Sequence, residues 1–266
     1  MHPPSSFHSR YLAPFYRYFH IVLYKTYANL KAENEKTYLG TLWWIIEPLM
    51  NTAVFYFIFV YILKSRGPDF VAFLYVGMVV YGWFSNGLNA AANSIVSHAA
   101  LMQQIWLPKS LFPFISVSNI SWKFCFSLVA ILPLLWWQHS LPSLAYLALP
   151  VLIAIQYFVI IALGMPLAGI IPYFQDGRTV LSTLLSVFMW LSGVFYGRDH
   201  VSAHLQPLFY ANPAAALIEA YRAVLLQGTW PDWHVLALAL VVPILSFCLG
   251  LFILHRIDRQ VTKRPI

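Results

Sequence analysis

The sequence predicts an all-α integral membrane protein in which six helices cross the bilayer and both chain ends lie in the cytoplasm. Three observations lead there. The 266 residues are 60% apolar and only 9% charged, whereas a soluble domain carries about 25% charged residues to cover its water-facing surface. Six apolar stretches approach the length needed to cross hydrocarbon, about 20 residues for a helix. Lys and Arg gather at alternate ends of those stretches, as the positive-inside rule requires.

The elements follow in order. The N-terminal run "MHPPSSFHSRYLAPFYRYF" lacks the short apolar core and small-residue cleavage site of a removable signal peptide, so it is expected to stay on the mature chain. From residue 10 to residue 32, Leu12, Phe15, Phe19, Val22, Leu23 and Leu30 recur at helical spacing, with Arg10, Arg17, Lys25 and Lys31 on another face. This pattern predicts an amphipathic helix lying in the headgroup plane, and periodicity alone leaves a simple membrane anchor open. The six spans are placed at residues 39–63, 70–91, 112–137, 144–171, 180–195 and 235–254; the fifth is short and the fourth long.

With the N-terminus inside, eleven Lys and Arg residues flank the cytoplasmic ends: Arg10, Arg17, Lys25, Lys31 and Lys36, then Lys109 and Arg178, then Arg256, Arg259, Lys263 and Arg264. Only Lys64, Arg66, Arg198 and Arg222 fall outside. Cys125 and Cys248 sit near the middle of predicted spans, where cysteine behaves as a small apolar residue, so neither a disulfide nor a metal site is read from them.

Absences narrow the function. There is no Gly-rich phosphate loop ending in Lys-Ser or Lys-Thr, so the chain is not expected to bind and hydrolyse ATP. Only nine carboxylates exist, and Glu47 alone lies well inside a span. The paired acids or nucleophile–base pairs of membrane enzymes are not evident. His200 and His204 stand four apart beside Asp199, a spacing that can hold a metal, but two histidines without a third ligand read as a polar loop. Nothing in the chain points to nucleic acid.

Between the second and third spans, residues 97–110 form a short helix that stops at Pro108. Leu101, Met102, Ile105 and Trp106 give it an apolar face, which needs a headgroup layer or another protein to cover it. Between the fifth and sixth spans, residues 196–234 hold "ANPAAALIEAYRAVLLQG". Asn212 is its N-cap, Pro213 its first helical residue and Gly228 lies past its end. Glu219 and Arg222 stand three apart and are expected to pair on its surface.

Taken in order, "YLGTLWWIIEPL", "LMQQIWLPKSLFP", "FQDGRTVL" and "YANPAAALIEAYRAVLLQG" resemble the membrane subunit of polysaccharide-exporting ABC transporters, the ABC-2 permeases of capsule and O-antigen export. The resemblance runs along essentially the whole chain. It implies a homodimer in the bacterial inner membrane that carries two copies of a separate soluble ATPase, with ATP and Mg held by that partner and no cofactor in this chain. It further implies that residues 10–32 are an interface helix. The helix around Leu101, Met102, Gln103, Gln104 and Trp106 becomes the coupling helix that docks on the ATPase. Asn212, Pro213, Glu219 and Arg222 fall in the helices that gate the outer mouth. A lipid-linked polysaccharide is the implied cargo, with membrane lipids around it and envelope partners added if the exporter serves a capsule.

A sliding sugar polymer suits aromatic walls, because sugar C–H faces stack on flat rings while Tyr and Trp edges reach hydroxyls. The chain has 20 Phe, 16 Tyr and 10 Trp. Trp43, Trp44, Trp136, Trp137, Trp230 and Trp233 sit at span ends and read as interfacial belt. Tyr56, Tyr75, Tyr81, Trp83, Phe84 and Trp190 are the candidates for a channel lining.

Two charges join that set. Lys123 falls about eleven residues into the third span, roughly 16 Å deep on a 1.5 Å rise. Glu47 falls inside the first, next to Pro48, and is a candidate to neutralise Lys123, while Pro48 bends the helix at its entrance. Other readings remain at this stage: an ABC-2 exporter of a drug or small lipid, a membrane enzyme acting on lipid-linked sugars, and a structural membrane protein.

Overall fold

A computed structural model gives the fold for residues 7–64, 70–104, 107–137, 143–174 and 176–262, and every regular element among them is helical. Arg66 and Trp106 lie outside the described residues, as do the side chains of Arg10, Leu12, Phe15, Trp136, Trp137, Arg259, Lys263 and Arg264.

The chain opens with α1 (Phe7–Asn34), longer than the predicted amphipathic stretch by a few residues at each end. Gly40, at φ +49, provides the left-handed turn that reverses the chain. The first span then runs as a 3₁₀ turn, α2 (Trp43–Tyr56) and a π-helical segment Phe57–Ile62. Next come α3 (Phe70–Ala92), the short α4 (Ser94–Ser97) and α5 (Ala99–Gln104), and α6 (Leu111–Trp137). The fourth span enters through a 3₁₀ turn capped by Ser143 and continues as α7 (Leu149–Ile170). After α8 (Gly177–Leu191), the short α9 (Gln206–Ala211) and α10 (Pro213–Leu225) lead through α11 (Trp233–Ala239) to α12 (Val241–Thr262).

Among the described residues, five helices are long and apolar enough to cross a membrane: Gly40–Ile62, Phe70–Ala92, Leu111–Pro133, Leu144–Tyr173 and Trp233–Ile257. They match five of the six predicted spans to within three residues at most ends. The predicted fifth span does not reach that length. It is α8, 15 residues long, or about 22 Å on a 1.5 Å rise against a hydrocarbon core of about 30 Å. The helix stops because Gly193 adopts φ +70 and Phe209 packs where a β-carbon would sit. Hydropathy sees the apolar run through Phe195, but cannot see that turn.

α3 is the centre of the bundle, packed against α2, α6, α7, α8 and α10, with most of its residues buried. Small residues let helices approach closely, as is usual inside membranes. A β-carbon on Gly250 of α12 would lie 2.6 Å from that of Met165 on α7, and one on Gly169 2.6 Å from Ile253. The first span is the opposite extreme, with Thr52 alone buried along it. Leu49, Met50, Val54 and Phe57 are exposed along it, as are Leu184, Val187, Trp190 and Leu191 on α8.

Candidate functional site

Pro48 has no N–H, so the Trp44 carbonyl four residues earlier loses its usual helical donor. Ser127 of α6 points its hydroxyl at that oxygen, 2.6 Å away. Thr52 donates to the Pro48 carbonyl at 2.8 Å, and Tyr75 of α3 donates to the Ser127 carbonyl at 2.9 Å. The helix-breaker thus creates the acceptor through which α2 is tied to α6, and Tyr75 extends the tie to α3.

Beside this junction lies a cavity of about 700 Å³. Its walls include Trp43, Trp44 and Asn51 from α2, and Tyr81, Trp83 and Asn86 from α3. Lys123 enters from α6, Glu33 and Asn34 from the end of α1, and Ser186 from α8. Glu47 is exposed on the same wall. Gly82 faces open space, since a β-carbon there would meet nothing within 4 Å.

Cross-helix bonds hold the walls in place. The Lys123 ammonium lies 2.5 Å from Glu33 Oε1 and 5.8 Å from the Trp44 ring centroid. This corrects the expected pairing with Glu47: α1 extends to Asn34, which carries Glu33 against α6, and Glu33 takes the lysine instead. Trp83 donates to Ser121 Oγ at 3.1 Å and stacks on Phe124 with centroids 4.1 Å apart. The Tyr81 hydroxyl donates to the Leu185 carbonyl of α8.

The lining candidates therefore divide. Glu47, Tyr81, Trp83 and Lys123 border the cavity, although Tyr81 and Trp83 are themselves only 3% and 2% exposed. Tyr75 and Phe84 are buried inside the bundle at 1% and 2% exposure. Tyr56 is half-buried beside Tyr61, and Trp190 stands exposed against Phe55 and Phe195. Trp43 and Trp44, read from sequence as interfacial belt, also stand on the cavity wall, because α2 begins at Trp43 and its first turn faces the cavity. Flat aromatic faces with amides, hydroxyls and a carboxylate between them suit a ligand with apolar faces and many hydroxyls.

The segment after α8 is built around a charge. Arg222 of α10 is 2% exposed, so its pairing with Glu219 at 3.0 Å lies in the interior and not on the helix surface as expected. One guanidinium nitrogen donates to the Gly193 carbonyl at 2.8 Å; the other donates to Val194 at 2.8 Å and Phe73 at 3.3 Å. The guanidinium carbon is 3.4 Å from the Phe73 ring centroid. Burial pulls the Arg222 pKa down and Glu219 opposes that shift, and arginine remains a cation at neutral pH.

This fork explains the short fifth helix. Buried backbone outside a helix must have its polar groups satisfied by other protein groups, and Arg222 satisfies the Gly193 and Val194 carbonyls that follow α8. Asn212 caps α10, its Oδ1 accepting from Ala214 at 2.9 Å, and its amide donates to Ser192 at 3.0 Å. Aromatic rings continue the contact, with Phe195 4.5 Å from Trp190 and 5.6 Å from Phe59. Pro213 is buried at the first helical position. Arg198, Asp199, Tyr210, Glu219, Gln227 and Asp232 border a second cavity of about 350 Å³.

At the other end of α3, α5 exposes Gln103 and Gln104 while Leu101 and Met102 are partly covered, Met102 packing on the core. Sequence reasoning missed Ser127, Glu33 and Asn86. Ser127 carried a signal in principle, because a proline inside a span creates an orphan carbonyl; its partner on another helix carried none. Among the described residues no group of three His, Cys, Asp or Glu can hold a metal.

Comparison with known proteins agrees with the sequence resemblance. A family model described as "ABC-2 type transporter" matches residues 13–226. The chain is 26% identical over 239 residues to the O-antigen export system permease protein RfbA of Myxococcus xanthus, covering 89% of this chain and 92% of that one. It is 21% identical over 246 residues to the protein of the same name from Klebsiella pneumoniae, covering 92% and 95%.

Proposed function

The chain belongs to the ABC-2 type transporter family, and from that membership we infer that it is the permease subunit of an ATP-driven exporter of a cell-surface polysaccharide. It is a multi-pass protein of the bacterial inner membrane and a transport subunit, not an enzyme. The names of its relatives favour polysaccharide over a drug or small lipid as cargo. The observation that carries the reading within the structure is the cavity of about 700 Å³ in which Trp43 and Trp44 offer ring surface, with carboxylate and amide groups beside them. A glycan meets both of its needs there, rings to stack on and partners for hydroxyls, through contacts weak enough to let it slide.

The finer parts of the proposal rest on how the elements are laid out. Both ends are cytoplasmic, and α8 serves as the short fifth crossing of a six-span protomer. Two copies pair through the apolar faces that the protomer leaves open on the first span and α8. A separate ATPase holding ATP and Mg docks on α5 through Gln103 and Gln104, with α1 beside it. Movement there passes along α3, and the Arg222-anchored α10 gates the outer mouth.

Purification from the native host in mild detergent, with a subunit count and an ATPase assay, tests this directly. Two copies of this chain with two of a soluble ATPase are expected. A chain that repeatedly purifies alone and still transports or turns over a lipid-linked sugar contradicts it.

A further inference from the structure

We propose that the glycan reaches the cavity along a groove between α3 and α8, lined by neutral amides and hydroxyls that bond its sugar hydroxyls. The inference deepens the export reading and rests on it.

α3 and α8 lie side by side in opposite directions. Gly77 packs against Val194, just after α8, and four residues further along α3 the Tyr81 hydroxyl meets the Leu185 carbonyl. Past Tyr81, α3 therefore runs beside the part of α8 that precedes Leu185. Along that stretch Gly82, Asn86, Asn89 and Asn93 follow one another at three or four residues, so they share one helix face. The helical pattern reaches the last of them, the Asn93 N–H bonding the Asn89 carbonyl at 3.1 Å. Thr179, Ser182 and Ser186 share a face of α8 in the same way. Gly82, Asn86 and Ser186 line the cavity. The others carry both polar faces on from it, toward the α5 end of α3.

These side chains are open to a ligand. Asn86, Thr179, Ser182 and Ser186 are exposed, and Asn89 and Asn93 are half-buried. The Asn86 amide makes no hydrogen bond among the described residues, and Asn93 Oδ1 is buried without a donor. Ser182 and Ser186 donate to the Thr179 and Ser182 carbonyls at 2.9 Å, which leaves both hydroxyl oxygens free to accept. No charged residue occurs from Met78 to Asn93 or from Thr179 to Leu191.

Lipid is a poor neighbour for such faces. α8 already turns Leu184, Val187 and Leu191 outward on a different side, whereas an amide placed in hydrocarbon forfeits its hydrogen bonds. Polar side chains within spans face the bundle interior or a water-filled space. A hydroxyl-rich polymer suits that space. Amides and hydroxyls each donate and accept, so a sugar can exchange one partner for the next as it advances, with no ion pair to break.

The test uses cells that lack the native gene and carry the chain on a plasmid. Surface polysaccharide is measured beside the amount of chain, its self-association and its bound ATPase. Asn86→Leu with Ser182→Val removes the hydrogen bonds; Asn86→Gln with Ser182→Thr keeps an amide and a hydroxyl. The first pair is expected to lower surface polysaccharide several-fold with chain, self-association and ATPase unchanged, and the second to retain export. Full export from the first pair overturns the groove. Loss of self-association in that pair also overturns it, because the polar faces then meet a second copy of the chain. Labelling gives a readout independent of export, and decides the matter should the first pair fail to accumulate. Ser182→Cys, in a chain carrying Cys125→Ala and Cys248→Ala, is expected to react with a charged, water-soluble maleimide in inside-out vesicles. An unreactive thiol there places the face against lipid and overturns the proposal. Each of these results leaves the export reading standing. If loss of the chain changes no surface glycan, the export reading fails and the groove with it.

Discussion

Single side chains in this protein complete the backbone bonds that other residues break, and two of them can be tested against each other. Pro48 orphans the Trp44 carbonyl and Ser127 answers it at 2.6 Å. Ser127→Ala leaves that carbonyl without a donor, at a cost of about 1–3 kcal/mol for a buried unsatisfied group. Pro48→Ala returns an N–H four residues on, so Ser127→Ala should cost markedly less in that background. Unfolding titrations of the four proteins in detergent measure the coupling, and equal costs in both backgrounds would refute the link.

Arg222 is the second case. It is 2% exposed and serves the Gly193, Val194 and Phe73 carbonyls together with Glu219. Breaking a buried ion pair costs about 3–5 kcal/mol. Arg222→Ala belongs toward the lower end, because Glu219 keeps 20% of its side chain in contact with solvent. Arg222→Lys recovers little, since an ammonium cannot span the carbonyls that a planar fork reaches. A lower thermal midpoint for both variants checks this.

At the scale of elements, the long apolar runs were legible because length and hydropathy suffice to define a span in hydrocarbon. The N-cap at Asn212 and Pro213 at the first turn of α10 were legible too, since capping is local chemistry. The turn that shortens α8 was not. It depends on a guanidinium 29 residues away in sequence from Gly193, and no local pattern carries that.

The cavity was half legible for the same reason. Tyr81, Trp83, Glu47 and Lys123 stood out as residue types at depth, whereas the exclusion of Tyr75 and Phe84 depends on which face of α3 packs inward. The partner of Lys123 depends on where α1 lies. The Lys123–Glu33 tie predicts that Lys123→Glu loosens α1 from α6, raising proteolysis within α1, and that adding Glu33→Lys restores protection. The pair is partly solvated, so its contribution is about 0.2–1 kcal/mol. On α5, Gln103→Ala with Gln104→Ala should leave insertion and thermal stability unchanged, because both side chains are exposed, and reduce co-purifying ATPase several-fold. Undiminished ATPase recovery would move the docking surface elsewhere.

For the whole molecule, the central claim is that the cavity between α1, α2, α3, α6 and α8 is the route of the glycan. Gly82 permits a direct test, because it faces that space and a β-carbon there meets nothing within 4 Å. Gly82→Trp directs a bulky side chain into that space from a position where the first added atom meets no neighbour, and tryptophan is a better helix former than glycine. The measurement is surface polysaccharide in cells carrying only this variant, alongside the amounts of chain and bound ATPase in their membranes. The account predicts unchanged chain and ATPase with surface polysaccharide lost and polymer retained inside. Normal surface polysaccharide from a chain with its cavity plugged would contradict it.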